Sequence, residues 1–315
     1  MTAGETYRLL AAQAPELPLF MQPWYLDAVC GEGAWGAAIV QRDGRPVAAM
    51  PWFLKKKGIW KYVAMPVLGK FHGPYLLPEY RRLDEEHRIY AELIEQLPRN
   101  LAAFSQDFHY TVTNWLPFYW RGFRQTTRYS YVVDLNRAED DIWRGIDKSY
   151  RQKITKAGAL VTVTEERPLT ELYRLLEKSF DRQDLSAPYS LDFLQGLYGA
   201  LSAHQACRLF FAADQGNGAL HSAALLAWDA QSAYYLISGD DPALRASGAA
   251  VLLKWEAILY AKNALHLPVF DFEGSMIQAL ERGRRDFGAQ QRPYFRVEKE
   301  WSWVWKWKRL FKSPR

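Results

Sequence analysis

The stretch Leu236–Leu259, LISGDDPALRASGAAVLLKWEAIL, decides how the second half of the chain is interpreted. It leaves an apolar, strand-like run, passes through Gly-Asp-Asp-Pro and enters a helical pattern through Arg-Ala-Ser-Gly-Ala-Ala. Glycine is a poor helix former, so this entrance indicates a place where bulk is excluded. A helix that begins just after a strand presents unpaired N–H groups, which suit an anion such as a pyrophosphate. Tight packing of a helix on a sheet would select the same residues, and the hexapeptide leaves both interpretations open.

Length and composition limit the class of protein. The chain has 315 residues, 49% of them hydrophobic, which is enough for two domains with a real core. Its two cysteines, Cys30 and Cys207, stand in no metal-ligand spacing and favour a reducing compartment. No signal peptide or membrane-spanning run is apparent, so we expect a cytoplasmic protein. Without HExxH, Cys/His, P-loop, GxSxG or GxGxxG patterns, we expect no metal and no nicotinamide.

The positive charge is concentrated at the C-terminus. The formal net charge is +5, and residues Arg296–Arg315 contain seven Lys/Arg and two Glu. The remaining chain therefore has 33 basic and 33 acidic residues. This neutral body argues against nucleic-acid binding by the body as a whole.

A weak internal repeat indicates two related domains. Residues 37–66 and 208–239 each show three strand-like runs joined by turn signals. The step from Gly44 to Tyr62 resembles the step from Gly216 to Tyr234. We expect an α/β (α+β) fold in which each domain is a mixed, mainly antiparallel sheet flanked by helices. The predicted domains are 1–127 and 128–300, followed by a Trp- and Lys/Arg-rich tail at 301–315.

Helical patterns fill the intervals between the strands. The stripe of Ile142, Ile146, Tyr150 and Ile154 predicts one helix over Asp140–Ala157. Ser190 has the character of an N-cap for the next helix. The other predicted elements are helices Leu83–Leu97, Leu169–Phe180, Gly248–Asn263 and Ser275–Phe287, and strands Leu267–Phe272 and Pro293–Val304.

The opening stretch resembles the Arg/Gln-x-x-Gly-x-Gly/Ala acyl-CoA loop of the GNAT N-acyltransferase superfamily, with Arg245, Gly248 and Ala250 at the matching positions. The segment Phe270–Phe295 resembles the closing segment of FemAB-like proteins, which contain two GNAT-like domains. Asp271-Phe272-Glu273-Gly274 matches its first part. In the second part Phe287-Gly288 is kept, whereas Gly283-Arg284 stands where Phe-Lys is usual.

The resemblance implies two tandem GNAT-like domains, a degenerate first one and a second one that binds the acyl donor. The first repeat has no such loop, since its third strand leads into LGKFHGPYLLP. The implied function is an acyl-CoA-dependent N-acyltransferase, with the amine acceptor bound between the domains. The expected donor-binding residues are Ser238, Gly239, Arg245, Ala246, Ser247, Gly248, Ala249 and Ala250.

Candidate catalytic residues follow from the chemistry of that transfer. An amine that attacks a thioester loses a proton to a base, and the departing thiolate gains one. Glu273 is the predicted base and Asp271 the second candidate, because alternation would put both on one side of a strand. The alternative is that Asp271 caps a turn or pairs with Arg285. Tyr294 or Ser275 is the candidate acid.

Other residues are candidates for contact with the acceptor. Phe71 and His72 lie in Lys70–Tyr75, a predicted lining of the acceptor groove. Lys153, His221 and Arg285 are further candidates. His221, alone in an apolar strand, is more typical of a packed core residue. Lys148, Arg151, Lys153 and Lys156 form a basic helical segment that suits either a solvated face or phosphate contacts.

Two other functions remain open at this stage. FemAB-like proteins also include enzymes that use aminoacyl-tRNA to extend cell-wall precursor peptides, which would place the function in the cell envelope. The chain could instead be a degenerate, membrane-peripheral binding protein. Trp301, Trp303, Trp305 and Trp307, followed by basic residues, suit a strand packed in the fold or the inner face of a membrane. Such a contact would fit a lipid-linked acceptor.

Overall fold

The chain divides into two compact units. The structure is a computed structural model, and it describes residues 1–31, 33–182, 184–274 and 276–302. Unit 1 contains Met1–Arg128 together with Pro293–Arg315, and unit 2 contains Tyr129–Arg292. The first boundary lies within two residues of the one expected from sequence. The segment from Pro293 onward groups with unit 1, whereas the sequence analysis assigned it to the second domain up to residue 300.

Ten helices and twelve strands are assigned in the described part of the chain. The helices are α1 (Ala3–Gln13), α2 (Pro23–Cys30), α3 (Leu83–Glu95), α4 (Leu116–Trp120), α5 (Glu139–Gly145), α6 (Lys148–Gly158), α7 (Leu169–Asp181), α8 (Leu191–Ala203), α9 (Ala249–Asn263) and α10 (Gln278–Arg285). The strands are β1 (Trp35–Arg42), β2 (Arg45–Lys57), β3 (Trp60–Ala64), β4 (Tyr75–Leu76), β5 (Leu101–Asp107), β6 (Arg124–Asp134), β7 (Val161–Thr164), β8 (Cys207–Asp214), β9 (Leu220–Trp228), β10 (Ser232–Asp240), β11 (Val269–Asp271) and β12 (Gln290–Glu300).

The sheet of unit 1 has the strand order β1-β2-β3-β5-β12, and the short β4 pairs with β2. The first three strands form an antiparallel meander, as the repeat predicted. β3 then pairs with β5 in parallel, and β5 pairs with β12 in the antiparallel direction. β12 belongs to this sheet because Arg296 pairs with Asp107 in register, which explains why the end of the chain groups with unit 1.

The sheet of unit 2 repeats this plan. Its order is β7-β8-β9-β10-β11-β6, with antiparallel pairing from β7 to β10 and parallel pairing of β10 with β11. β6 is the antiparallel partner of β11. The buried core joins the sheet to α6 and α9, with members that include Ile154, Phe210, Leu253 and Phe270.

The apolar stripe around Ile146 is divided between two helices, so the prediction of one continuous helix over Asp140–Ala157 is wrong. α5 ends at Gly145, and Asp147 caps α6 by accepting a hydrogen bond from the Ser149 N–H at 2.8 Å. A side-chain cap satisfies a backbone donor that would otherwise be orphaned, and it therefore competes with helix continuation. Ser190 caps α8 as predicted, since its hydroxyl accepts from Phe193 N–H.

The predicted Trp ridge lies mainly outside the described residues, which include Trp301 but not Trp303, Trp305 or Trp307. Trp301 packs edge-on against Phe123, with ring centroids 5.9 Å apart, and keeps 45% of its surface exposed. Across the described parts of the chain, none of the helices combines the length and apolar character needed to cross a bilayer.

Gly239 allows β10 and α7 to approach closely. A Cβ added there would lie 2.4 Å from the backbone nitrogen of Leu176. We expect Gly239→Ala to lower the free energy of unfolding by about 1–3 kcal/mol through overpacking. Gly199→Ala is the control, because the exposed Gly199 on α8 has no atom within 4 Å of its added Cβ. That change should stabilise the helix by up to about 1 kcal/mol. Urea titration of both variants checks this, and equal effects would contradict it.

Candidate active site

The parallel strands β10 and β11 separate after a short pairing. They pair over only three residues, from Ser232 with Val269 to Tyr234 with Asp271. β10 continues to Asp240, and within the described residues no further strand pairs with it on the β11 side. On its other side the register with β9 shifts between Tyr235 and Ile237, which leaves Leu236 as a bulge residue outside the regular ladder. The sheet is therefore open next to residues 235–240.

The loop after β10 turns directly into α9. Asp241 accepts a hydrogen bond from the Ala243 N–H, a 3-10 helix covers Pro242–Ser247, and Gly248 precedes α9. Ser247 Oγ accepts from the Ala249 N–H at 3.2 Å. Gly248 has φ +79°, and an added Cβ would lie 3.0 Å from the carbonyl oxygen of Lys153. The glycine in this motif is therefore required by backbone conformation and by contact with α6, so the packing interpretation explains it without a ligand.

Arg245 is held at the opening by the carboxylate that ends β10. Its Nε lies 2.7 Å from Asp240 Oδ2, and half of its side chain is exposed. The ion pair fixes one edge of the guanidinium and leaves the terminal N–H groups directed elsewhere. The remaining predicted donor residues lie along the same segment: Ser238, Ala246, Ala249 and Ala250 on β10, the loop and the first turn of α9.

The two candidate carboxylates are arranged by a turn and not by strand alternation. Asp271 is fully buried, and its Oδ1 accepts from Ser130 Oγ at 2.6 Å and from the Glu273 N–H at 2.8 Å. Glu273 has φ +55°, so the chain has already left the strand. The expectation that both side chains share one strand face is therefore wrong. Asp271 caps the turn, as the alternative interpretation had it, and so positions the partly exposed Glu273.

Arg284, which the sequence marked only as a departure from Phe-Lys, reaches the end of β11. Its Nε donates to the carbonyl of Phe272 at 3.2 Å, and Nη1 donates to the carbonyl of Leu280 at 3.1 Å. Burial lowers the pKa of Arg284, while the negative charges of Glu273 and Asp271 oppose this shift. An arginine thus occupies the position of the family lysine and retains its charge beside the carboxylates.

Lys254 is a site residue that the sequence analysis missed. Burial lowers its pKa to about 8, the charges of Arg284 and Arg245 act in the same direction, and Asp240 opposes them. Its Nζ lies 5.9 Å from the ring centroid of Tyr235. Within the described residues its ammonium has no hydrogen bond or ion pair. The signal in the sequence was one lysine between Leu253 and Trp255, both of which α9 buries.

The predicted acceptor residues of unit 2 are dispersed. Lys153 lies on α6 with its Nζ 4.8 Å from the ring centroid of Tyr150. His221 is 6% exposed and its Nε2 lies 3.4 Å from Asp214 Oδ2, which fits the packed core histidine of the alternative interpretation. Arg285 is largely exposed and pairs with Glu281 on α10, not with Asp271.

In unit 1 the equivalent opening is filled by the chain itself. β3 and β5 pair only as far as Val63 with Phe104, and β5 runs on to Asp107. His72 takes the vacated edge, because its N–H donates to the Asp107 carbonyl at 2.7 Å and its carbonyl accepts from the His109 N–H at 3.1 Å. Phe71 and His72 are both 0% exposed. Their burial argues against the predicted contact with an acceptor.

Tyr294, the candidate acid, also belongs to unit 1. Its ring is 3% exposed and packs edge-on against Phe71, with centroids 5.2 Å apart. None of its described contacts involves Glu273 or Asp271, so its catalytic role stays a prediction. The other candidate acid, Ser275, lies outside the described residues. The described residues also contain no cluster of three or more His, Cys, Asp or Glu side chains arranged to hold a metal ion.

Residues 144–296 match the family model described as an acetyltransferase (GNAT) domain. This segment therefore contains a GNAT acetyltransferase domain, and the resemblance to the GNAT superfamily is confirmed for this part of the chain. The FemAB-like, two-domain part of the prediction is supported at the level of the fold by solved structures. A comparison with curated proteins found no match.

Solved structures extend the likeness to the fold of the whole chain. FemX has 13% sequence identity, a TM-score of 0.72, and coverage of 99% of this chain and 98% of its own. A tandem GNAT protein from the clavulanic acid biosynthesis pathway has 12% identity, a TM-score of 0.56 and coverage of 94% and 93%. The C-terminal domain of a putative lysylphosphatidylglycerol synthetase from Agrobacterium fabrum has 12% identity, a TM-score of 0.58 and coverage of 94% and 92%. The predicted fold class is confirmed.

The lowered pKa of Lys254 predicts a pH-dependent contribution to stability. In the folded protein the ammonium loses its proton near pH 8, against an ordinary value of 10.5. Between these values the unfolded chain binds more protons, so the free energy of unfolding rises with pH. We expect Lys254→Met to be more stable than the wild type below pH 8 and to lose this advantage as the pH approaches 10.5.

Urea unfolding at both ends of this pH window tests that expectation. Lys254→Arg is the matched control, because arginine stays charged throughout and should gain no stability over the window. A difference between Lys254→Met and the wild type that does not change with pH would contradict the prediction.

Proposed function

We propose that unit 2 transfers an acyl group from acyl-CoA to an amine acceptor. The observation that carries this proposal is the opening beside β10, which leads into the loop and first turn of α9. An extended donor fits such an open strand edge, because its amide groups can pair with the strand as a neighbouring strand would. The half-exposed Arg245, fixed by Asp240, is suited to a donor phosphate.

In the proposed reaction Glu273 is the base. The acceptor nitrogen attacks the thioester carbonyl, Glu273 takes a proton from that nitrogen and the C–N bond forms. The C–S bond breaks with its electron pair leaving on the sulfur as the CoA thiolate, which takes up a proton to become the free thiol. The turn that Asp271 caps presents Glu273 at the end of β11, next to the opening. In this proposal the ammonium of Lys254, whose Nζ lies 5.9 Å from the ring centroid of Tyr235, and a backbone N–H at the Leu236 bulge of β10 stabilise the negative charge that develops on the carbonyl oxygen and the departing sulfur.

The acceptor is proposed only as an amine, free or carried on a lipid. Lys153 and its basic neighbours on α6 are suited to an anionic group of the acceptor or donor. Three of these neighbours, Lys148, Arg151 and Lys156, border an open depression of about 440 Å³ together with Trp143 and Gln152. Within the described residues none of these three cations takes part in an ion pair.

The same basic face favours one alternative donor, aminoacyl-tRNA. Cations without ion pairs on an exposed helix suit a polyphosphate backbone, whereas a free acyl-CoA brings fewer phosphates. A filter-binding titration with aminoacyl-tRNA at rising salt tests this alternative. Tight binding that falls steeply with salt would favour it, and weak binding that changes little would remove it.

Calorimetric titration of acetyl-CoA and a longer acyl-CoA tests the proposed donor. We expect Arg245→Ala to weaken binding about tenfold, which corresponds to about 1.4 kcal/mol. Arg8→Ala is a matched control, because Arg8 is 51% exposed and has an ion pair of 2.8 Å with Asp27 in unit 1, against 50% and 2.7 Å for Arg245 with Asp240. It should bind like the wild type. No binding by the wild type would refute the acyl-CoA proposal.

Substitution of Glu273 tests the proposed base separately from donor binding. With an amine identified by an acceptor screen, we expect Glu273→Gln to lower kcat about 100-fold or more, measured as thiol release. The affinity for acyl-CoA should stay unchanged. Unchanged turnover in Glu273→Gln would exclude this residue as the base. If no acyl transfer is found at all while the protein binds membranes, the degenerate binding protein is the better description.

A further inference from the structure

The hairpin between β2 and β3 projects past its neighbouring strand. β1 pairs with β2 only as far as Trp35 with Phe53, so Lys55–Lys57 pair with β3 alone. The two-residue turn is Gly58-Ile59, in which Gly58 has φ +57°. We call residues Lys55–Lys61 the β2–β3 tip. Lys61 also pairs with Leu101 of β5, so the tip is a two-stranded ribbon from Lys57 to Trp60, beyond that pair.

The tip carries a concentrated positive charge. Four of its seven residues are lysine and none is acidic. Lys56 stands directly opposite Lys61 in the β2–β3 register. Like charges opposite each other destabilise a strand pair, and none of Lys56, Lys57 and Lys61 has an ion pair within the described residues. A ribbon with this arrangement is better suited to an anionic surface than to water alone.

The apex of the tip is apolar. Ile59 is 88% exposed, the highest value among the large hydrophobic side chains of the described residues. Turns of this length favour Gly, Asn, Asp or Ser, and a β-branched apolar residue contributes nothing there to folding. Trp60, the next residue, is partly exposed and is opposite Lys57. An apolar apex with an aromatic neighbour, surrounded by lysines, is the composition of a segment that enters the interfacial region of a bilayer.

We propose that the β2–β3 tip docks this protein on the surface of an anionic lipid bilayer. Ile59 enters the headgroup region, while Lys56, Lys57 and Lys61 contact the negative headgroups around it. The attraction requires both parts, since lysines act only within about 10 Å of the charged surface at 0.1 M salt. This surface uses none of the residues proposed for acyl transfer, so the two proposals succeed or fail separately.

Co-sedimentation of the full-length protein with vesicles tests the proposal. We expect binding to phosphatidylcholine vesicles that contain phosphatidylglycerol and none to pure phosphatidylcholine. Lys56→Ala/Lys61→Ala should weaken binding about 25-fold, since each lysine near an anionic surface increases the affinity about fivefold. The fold should survive this change, because it removes a repulsive pair. Ile59→Asp should weaken binding at least as much.

The matched control is Arg45→Ala/Arg82→Ala, which removes two exposed positive charges from the same unit. Arg82 lies three residues before Glu85, which pairs with Arg42, the residue opposite Arg45. Arg45 begins β2 and Lys57 ends it, so the two lie about 40 Å apart along this 13-residue strand. At that distance salt screens the interaction, and we expect binding within about twofold of the wild type. If the control weakens binding as much as the double lysine substitution does, the vesicles attract positive charge anywhere on the protein and the proposal is wrong.

A label at the apex distinguishes a bilayer from another polyanion. Ile59→Cys can be labelled selectively, because burial raises the pKa of Cys30 to about 12 and also raises that of Cys207. An environment-sensitive dye there should shift to shorter emission wavelength with anionic vesicles and not with RNA. Three results would each overturn the proposal. The wild type does not bind vesicles, substitution of Ile59 or of the lysine pair leaves binding unchanged, or the dye shifts equally with RNA.

Discussion

The limited pairing of two parallel strands governs what each half of this chain can do. β10 and β11 share three residue pairs before they separate, and β3 and β5 separate in the same way. A strand edge inside a sheet has backbone donors and acceptors that must find partners. In unit 1 the partner is the segment at His72, which bonds to Asp107 and His109. In unit 2 no described segment does the same, so a ligand can take that place.

This difference explains why only the second unit is a candidate for catalysis. A donor at the opening of unit 1 would have to displace Phe71 and His72, which are wholly buried. Burial also keeps the two histidines there neutral, since it lowers the pKa of His72 and of His109 to about 3. The opening of unit 2 instead has Arg245, Lys254 and Arg284 around it. The two repeats share a sheet plan and differ in whether the chain itself occupies the place where the sheet opens.

The sequence predicted those features that depend on local patterns. Alternation and turn residues located both meanders, and the hydroxyl of Ser190 marked a helix start that the structure confirms. The sequence predicts that bulk is excluded at Gly248, and the structure gives two causes, its φ of +79° and a contact with Lys153, some 95 residues earlier in the chain. The break at Asp147 was missed because the apolar stripe continues across it. A side-chain cap there outweighs the periodicity.

The parts of the site that could not be predicted depend on contacts distant in sequence. The relation of Asp271 to Glu273 is set by a left-handed residue and by Ser130 on β6. Strand alternation applies only while the strand continues, and β11 ends at Asp271. Lys254 could not be identified because its low pKa arises from burial and from the charges of Arg284 and Arg245, which belong to other segments.

Lys254 also constrains what can occupy the opening. A partly buried ammonium beside the positive charges of Arg284 and Arg245 is costly, because burial and like charges both disfavour it. An anionic ligand or a developing negative charge would offset that cost and raise the pKa of Lys254. The site therefore favours a ligand that brings negative charge to β10, which a neutral amide donor does not. The proposed donor, a thioester with phosphates whose reaction releases a thiolate, would bring negative charge both to Arg245 and to Lys254.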